Sequence, residues 1–275
     1  MSSVPQRLAE RAGCGDGPGP VIEAFGAQRR RFIEFLRDLP EPAWRQPSRC
    51  SDWSVHDVAR HVRDGALAHT AGLAGRPSPF GGGRFDPART PSQWLARTAG
   101  EPPAHTLRDL TELADQETTL LTARVAAADS GPARGPFGRP AHWSIRSLHV
   151  FWDAWMHERD VVLPLGGEIR PTDVDLQLAV LYSLLAAATS ASWTGGYLCT
   201  SLVLDGSPSG GYTISSVDDE IVITAEPGAA TPLRAEVTTL LDSLAGRGPS
   251  PAVVFGTASP AAEQLGMLRR AFSPR

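Results

Sequence analysis

Apolar residues set the first elements. Phe25, Phe32, Leu36 and Leu39 fall at intervals of seven, four and three residues, the spacing of one helical face. They predict a helix that begins near Pro20 and is stopped by Pro40 and Pro42. WRQPSRCSDW (44–53) has no such period and reads as an ordered loop with two tryptophans. Ser54 is then a helix N-cap, with Asp57 in the first turn where the helix dipole favours an anion. Val55, Val58, Val62 and Ala66 form that helix's apolar stripe, and His61 lies on its flank. Residues 75–105 are a long connection rich in Gly and Pro, with a short helix near Gln93 to Thr98. Leu110, Leu113, Leu120, Leu121 and Val125 predict a third helix from about Leu107 to Ala128. SGPARGPFGRP reads as a second loop. A fourth helix from about Ser144 to Leu163 packs through Leu148, Trp152, Trp155 and Met156, and ends at Pro164 and Gly166-Gly167. Four long helices with long connections predict a bundle, an architecture that builds metal sites from facing helices.

The pattern changes after Gly167. An apolar helix over 172–192 precedes three runs of strand composition, LCTSLVL (198–204), GYTISSV (211–217) and EIVITAE (220–226). A short strand at Arg234 to Val237, a helix from Thr238, a strand near Val253 to Phe255 and a last helix from about Pro260 complete an α+β unit. The fold class expected is therefore mixed α and α/β in two domains. A loose tail covers 1–19, a helical bundle 20–167 and an α+β domain 168–275.

Composition removes several chemistries. All 26 cationic residues are arginine, so there is no lysine for a P-loop, a kinase strand or a pyridoxal phosphate Schiff base. A net charge of −4 gives no field that would gather nucleic acid or an anionic membrane. Cys14, Cys50 and Cys199 are too scattered for a disulfide framework or a CxxC zinc site and read as reduced thiols. The N-terminus lacks the apolar core of a signal peptide, and no run has the length of a membrane span. A soluble cytoplasmic monomer or homodimer is expected, with small-molecule partners. DGSPSGG is not a nucleophile elbow, and Gly81-Gly82-Gly83 is not a dinucleotide fingerprint.

Asp153 and His157 are four residues apart on the fourth helix, hence on one face and one turn apart. An imidazole and a carboxylate so placed either form a simple hydrogen-bonded pair or approach one ion. His149 extends the same row and is an equally good ligand by spacing, while His61 on the second helix is the best third donor from elsewhere. Two nitrogens and one oxygen suit Zn²⁺ or a similar divalent ion, and three protein ligands leave coordination positions open. His56, His69, His105 and His142 read as surface or loop residues.

PSRCSDWSVHDVARHVRD resembles the N-terminal metal-binding segment of the mycothiol-dependent maleylpyruvate isomerase family, through Trp53, Ser54, Asp57 and His61. DAWMHERDVVLPLG carries the second resemblance, through Asp153, His157 and Asp160, and the FG of GPFGRP fits just upstream. The ending LAGRG…VVFGTASPAAEQLGMLRRAF resembles the sterol-carrier-protein-like domain that often follows. The resemblance implies a DinB-like four-helix bundle with a metal held by His61, Asp153 and His157. It implies mycothiol as a thiol co-substrate and addition of the thiolate to the conjugated double bond of maleylpyruvate, with rotation and elimination or with plain S-conjugation. Asp160 is then an acid or an orienter behind the metal ligand, or else a capping or salt-bridging residue, and Arg84 and Arg89 are candidates for a substrate carboxylate. The family usually has Glu where this chain has Asp153, which reaches less far by one methylene. Two other readings accompany this one: a repurposed enzyme acting on a specialised metabolite without thiol, and a non-catalytic protein whose C-terminal domain holds an apolar ligand.

Overall fold

The computed structural model describes residues 19–81, 86, 89–127, 132–134, 140–193, 198–206, 209–217, 220–226, 228 and 232–272. The chain parts between Arg170 and Pro171 into two compact units.

The first unit holds helices α1 (Gly19–Arg37), α2 (Val55–Leu73), α3 (Thr90–Arg97), α4 (Pro103–Ala126) and α5 (Trp143–Val162). α1 and α2 each pack against both α4 and α5, which makes a four-helix bundle. Phe32, Ile33, Leu36, Val58, Val62, Leu110, Ala154 and Val161 meet in its core. A fully buried Leu36 or Phe32 stabilises the fold by about 2–3 kcal/mol. The polar side of α2 anchors the long connection: Arg60 donates to the carbonyl of Leu95 at 2.9 Å, and Arg63 to Glu101 at 2.6 Å.

Four sequence expectations need correction. Gly19 to Arg37 is followed by a 3-10 turn, Glu41–Arg45, which buries Trp44. SGPARGPFGRP contains two short strands, β1 (Pro132–Arg134) and β2 (Pro140–His142), paired antiparallel, so part of that loop is an extended hairpin. The predicted strand near Val253 to Phe255 is instead a one-turn helix, Pro251–Val254. Its proline suits a first helical position, and the carbonyl of Ser250 accepts from Val253 and Val254 at 2.9 and 3.0 Å, so the backbone is satisfied locally without a neighbouring strand. His69, expected at the surface, is 1% exposed.

His69 belongs to a charged network inside the bundle. Its Nδ1 lies 2.7 Å from Glu117 Oε1 and its Nε2 lies 2.9 Å from Ser147 Oγ. Arg29 donates to the other oxygen of Glu117 at 2.8 Å and to Gln28 at 3.2 Å. Burial raises the Glu117 carboxyl, but the Arg29 guanidinium and the His69 bond outweigh it and hold the group down to about 2. Burial lowers His69 from its ordinary 6.5 and the Glu117 bond only partly restores it. Both shifts mean that unfolding takes up protons on acidification, so stability falls as pH drops. The loss should begin below pH 6.5 through His69 and be steepest from 4.5 down to about 2 through Glu117. Glu117 alone should account for about 3 kcal/mol. Denaturant unfolding of wild type and Glu117→Gln across this range checks it: the variant should be less stable at neutral pH, with a flatter acid limb.

The second unit is built on a four-stranded sheet of order β5-β4-β3-β6, from β3 (Thr200–Asp205), β4 (Gly210–Val217), β5 (Glu220–Thr224) and β6 (Leu233–Glu236). β3 pairs antiparallel with β4 and parallel with β6. Helix α6 (Asp173–Trp193) begins with reciprocal bonds between Thr172 and Asp175, and packs against β4 and β5. It is apolar on nearly every side, as a helix covered by both a sheet and another helix must be. The covering helix is α9 (Pro260–Phe272), after α7 (Val237–Leu244) and the one-turn α8 (Pro251–Val254). Among the described residues, no helix is long and apolar enough to cross a membrane.

Candidate metal centre

The site begins with how α2 starts. Ser54 Oγ accepts from the main-chain N–H of Asp57 at 3.2 Å, and Asp57 Oδ2 accepts from the N–H of Ser54 at 2.9 Å. This capping box satisfies two donors that a helix start leaves open. Burial raises the Asp57 carboxyl, but its bonds to Ser54 and Arg60 outweigh that and lower it on balance. Asp57 is thus occupied as a cap and as the partner of Arg60. Its contribution is to fix the phase of α2, so that His61, seven residues beyond the cap, faces α5.

Asp153 and His157 meet it there. His61 Nε2 lies 3.4 Å from Asp153 Oδ2, and His157 Nε2 lies 3.7 Å from Asp153 Oδ1. The two imidazole rings are 4.8 Å apart, edge to face. One donor atom from each of His61, Asp153 and His157 lies within 4.8 Å of the other two. His149, one turn earlier on α5, belongs to no such group among the described residues. Burial raises the Asp153 carboxyl, yet the His61 and His157 imidazoles outweigh it and hold the group well below the usual carboxylate range. The shorter reach of aspartate still brings one oxygen toward each histidine.

Asp160 orients the His157 ring. Its Oδ2 lies 3.0 Å from His157 Nδ1. A carboxylate oxygen accepts and does not donate, so Nδ1 carries a hydrogen, and in the neutral ring Nε2 then presents a lone pair. Nε2 lies 3.7 Å from Asp153 Oδ1, so a cation held there would meet a nitrogen and an anionic oxygen together. His61 Nδ1 is buried with no hydrogen-bond partner among the described residues, so nothing there opposes a cation drawing on Nε2. The residues present therefore fit a divalent ion with nitrogen, nitrogen and oxygen donors.

The tryptophan of the 44–53 loop completes the wall. Trp53 lies with its ring 5.0 Å from that of His61 and 6.0 Å from that of His157. The loop is tied down by Trp53 N–H to Cys50 O at 2.9 Å and by Val55 N–H to Gln46 O at 2.9 Å. Sequence reasoning missed one neighbour, Cys50, whose Sγ lies 3.2 Å from Asp160 Oδ2 and 3.8 Å from His157 Nδ1. It comes from the same loop as Trp53, and no helical spacing relates it to Asp160. Arg84 lies outside the described residues, and Arg89 is exposed at the start of α3.

Comparison with known proteins points one way. The family model described as the mycothiol maleylpyruvate isomerase N-terminal domain matches residues 25–162. The solved structure of a mycothiol-dependent maleylpyruvate isomerase is 16% identical, covers 88% of this chain and 90% of its own, and superposes with a TM-score of 0.54. A histidine-to-alanine mutant of such an isomerase is 15% identical with the same coverage and TM-score. No curated protein matches the chain.

Proposed function

The chain belongs to the family of the mycothiol maleylpyruvate isomerase N-terminal domain, and we propose that it is a metal-dependent enzyme that uses mycothiol to isomerise, or to form a thioether with, an electrophilic small molecule such as maleylpyruvate. The observation that carries this reading is the meeting of one donor atom each from His61, Asp153 and His157 within 4.8 Å of one another. His61, Asp153 and His157 would hold the ion, Zn²⁺ or a similar divalent metal. When bound, such an ion supplies an open coordination position at which a thiol loses its proton near neutral pH.

The chain's own residues do the rest. Asp160 holds the His157 proton at Nδ1 and acts as a positioning residue. Trp53 covers the two imidazoles on one side and keeps water from that face. Arg84 is assigned the substrate carboxylate on chemistry alone, since a guanidinium presents paired donors to both carboxylate oxygens. The bundle and the C-terminal α+β unit are read as a DinB-like metal-binding domain and a sterol-carrier-like domain.

Metal analysis of purified protein tests this: about one divalent ion per chain is expected. Asp153→Glu restores the family's longer reach and should bind the ion as tightly or up to roughly tenfold more tightly in a chelator titration. Asp153 also favours a second reading, in which the scaffold acts on another metabolite without thiol. Loss of both metal and activity in a folded Asp153→Glu protein would support that alternative, because the shorter side chain would then be tuned to a different geometry.

A further inference from the structure

Cys50 has no role in the reading above, yet it is 6% exposed and lies against the residue that orients a proposed metal ligand. Asp160 is fully buried and is approached from two sides. His157 Nδ1 reaches its Oδ2 at 3.0 Å, and the Cys50 thiol donates to the same oxygen at 3.2 Å. The main-chain N–H of Arg49, next to Cys50, donates to the Asp160 carbonyl at 3.0 Å, and the Arg49 guanidinium lies 3.9 Å from Oδ1.

The thiol is itself held in place. The Cys50 N–H donates to Ser48 Oγ at 3.0 Å, and Ser48 Oγ donates to the Trp53 carbonyl at 2.8 Å. Loop and helix are thus joined at consecutive residues, once through main chain and once through the thiol.

We propose that Cys50 is a positioning residue. Its thiol pins the Asp160 carboxylate against Nδ1 of His157, and so keeps Nε2 directed at Asp153 and His61. The inference rests on the metal reading above. A thiol is a weak donor, but a buried carboxylate oxygen left short of one partner can rotate, and a rotated Asp160 no longer fixes the His157 tautomer. Cys50, His157 and Asp160 also have donor atoms within 4.8 Å of one another. The separations of 3.0 and 3.2 Å are hydrogen-bond distances, and a fully buried Asp160 leaves no open position. Those features favour a supporting thiol over a thiolate ligand.

The test compares wild type, Cys50→Ala, Cys50→Val and Cys50→Ser in the full chain. In metal-free protein, nitrogen NMR of the His157 ring should show the Nδ1-protonated tautomer for wild type and Cys50→Ser, and a mixed population for the two apolar variants. Chelator competition with Zn²⁺ should show affinity reduced about tenfold in Cys50→Ala and Cys50→Val, and largely recovered in Cys50→Ser. Cys50→Val fills the vacated volume, so it separates lost donation from a collapsed cavity. An unchanged tautomer in both apolar variants would overturn the proposal. So would a thiolate charge-transfer band in Co²⁺-loaded wild type that disappears in Cys50→Ala, because Cys50 would then be a ligand. If wild type takes up no metal, the metal reading fails, while the tautomer comparison still decides the role of Cys50.

Discussion

His157→Ala should release the divalent ion and abolish thiol-dependent turnover, with a loss of metal affinity of more than roughly a hundredfold. Removing a partner that only orients a ligand costs on the order of 10- to 100-fold, and loss of the ligand must cost more. Two effects add in this variant. The nitrogen facing Asp153 disappears, and Asp160 and Cys50 lose the imidazole N–H that joins them to the site. His61→Ala should behave likewise, because it supplies the nitrogen from the opposite helix. His149→Ala should keep its metal, since that ring is outside the gathered donors. Metal content by elemental analysis, with circular dichroism to confirm the fold, reads all three variants. Metal retained in His157→Ala, or lost in His149→Ala, would place the site elsewhere.

The largest stability effect is expected away from the site. Arg29→Met should destabilise the bundle by about 3–5 kcal/mol, because it strands Glu117 as a buried anion beside His69 without its guanidinium partner. Arg29 and Glu117 are 1% and 0% exposed, so water cannot replace the lost partner. Adding Glu117→Gln removes the stranded charge while leaving an oxygen to accept from His69. The double variant should therefore recover much of the loss in denaturant unfolding. Strict additivity of the two single changes would show that the ion pair contributes little beyond its separate parts.

What the sequence discloses follows from which residues carry the pattern. The helices containing Phe32 and Leu36, Val58 and Val62, and Trp152 and Trp155 were legible because their apolar residues repeat at the helical period and those residues form the core. Asp153 and His157 were legible as a pair because four residues on a helix is one turn. His61 was not singled out by spacing, because its distance from α5 is set by bundle packing; the resemblance supplied it. Arg29, His69 and Glu117 were hidden because charged residues read as surface unless a partner is known, and their partners lie on three different helices. His69 did carry a signal, being eight residues after His61 and so near the same side of α2. Cys50 was hidden for a different reason: an irregular loop has no period, and only the closed fold brings its thiol to Asp160. Near Val253 the β-branched composition suggested a strand, but Pro251 and the Ser250 carbonyl decide locally for one turn of helix.

One assay tests joint dependence on thiol and metal. Protein loaded with Zn²⁺ is incubated with mycothiol and maleylpyruvate or a related cis-unsaturated keto acid, with and without a strong chelator, and with and without the thiol. Product should form, as the trans isomer or as a thioether, only when metal and mycothiol are both present, and His157→Ala should match the chelated sample. Equal product in the presence of chelator, or in the absence of any thiol, would show that turnover does not use the bound metal or a thiolate, respectively.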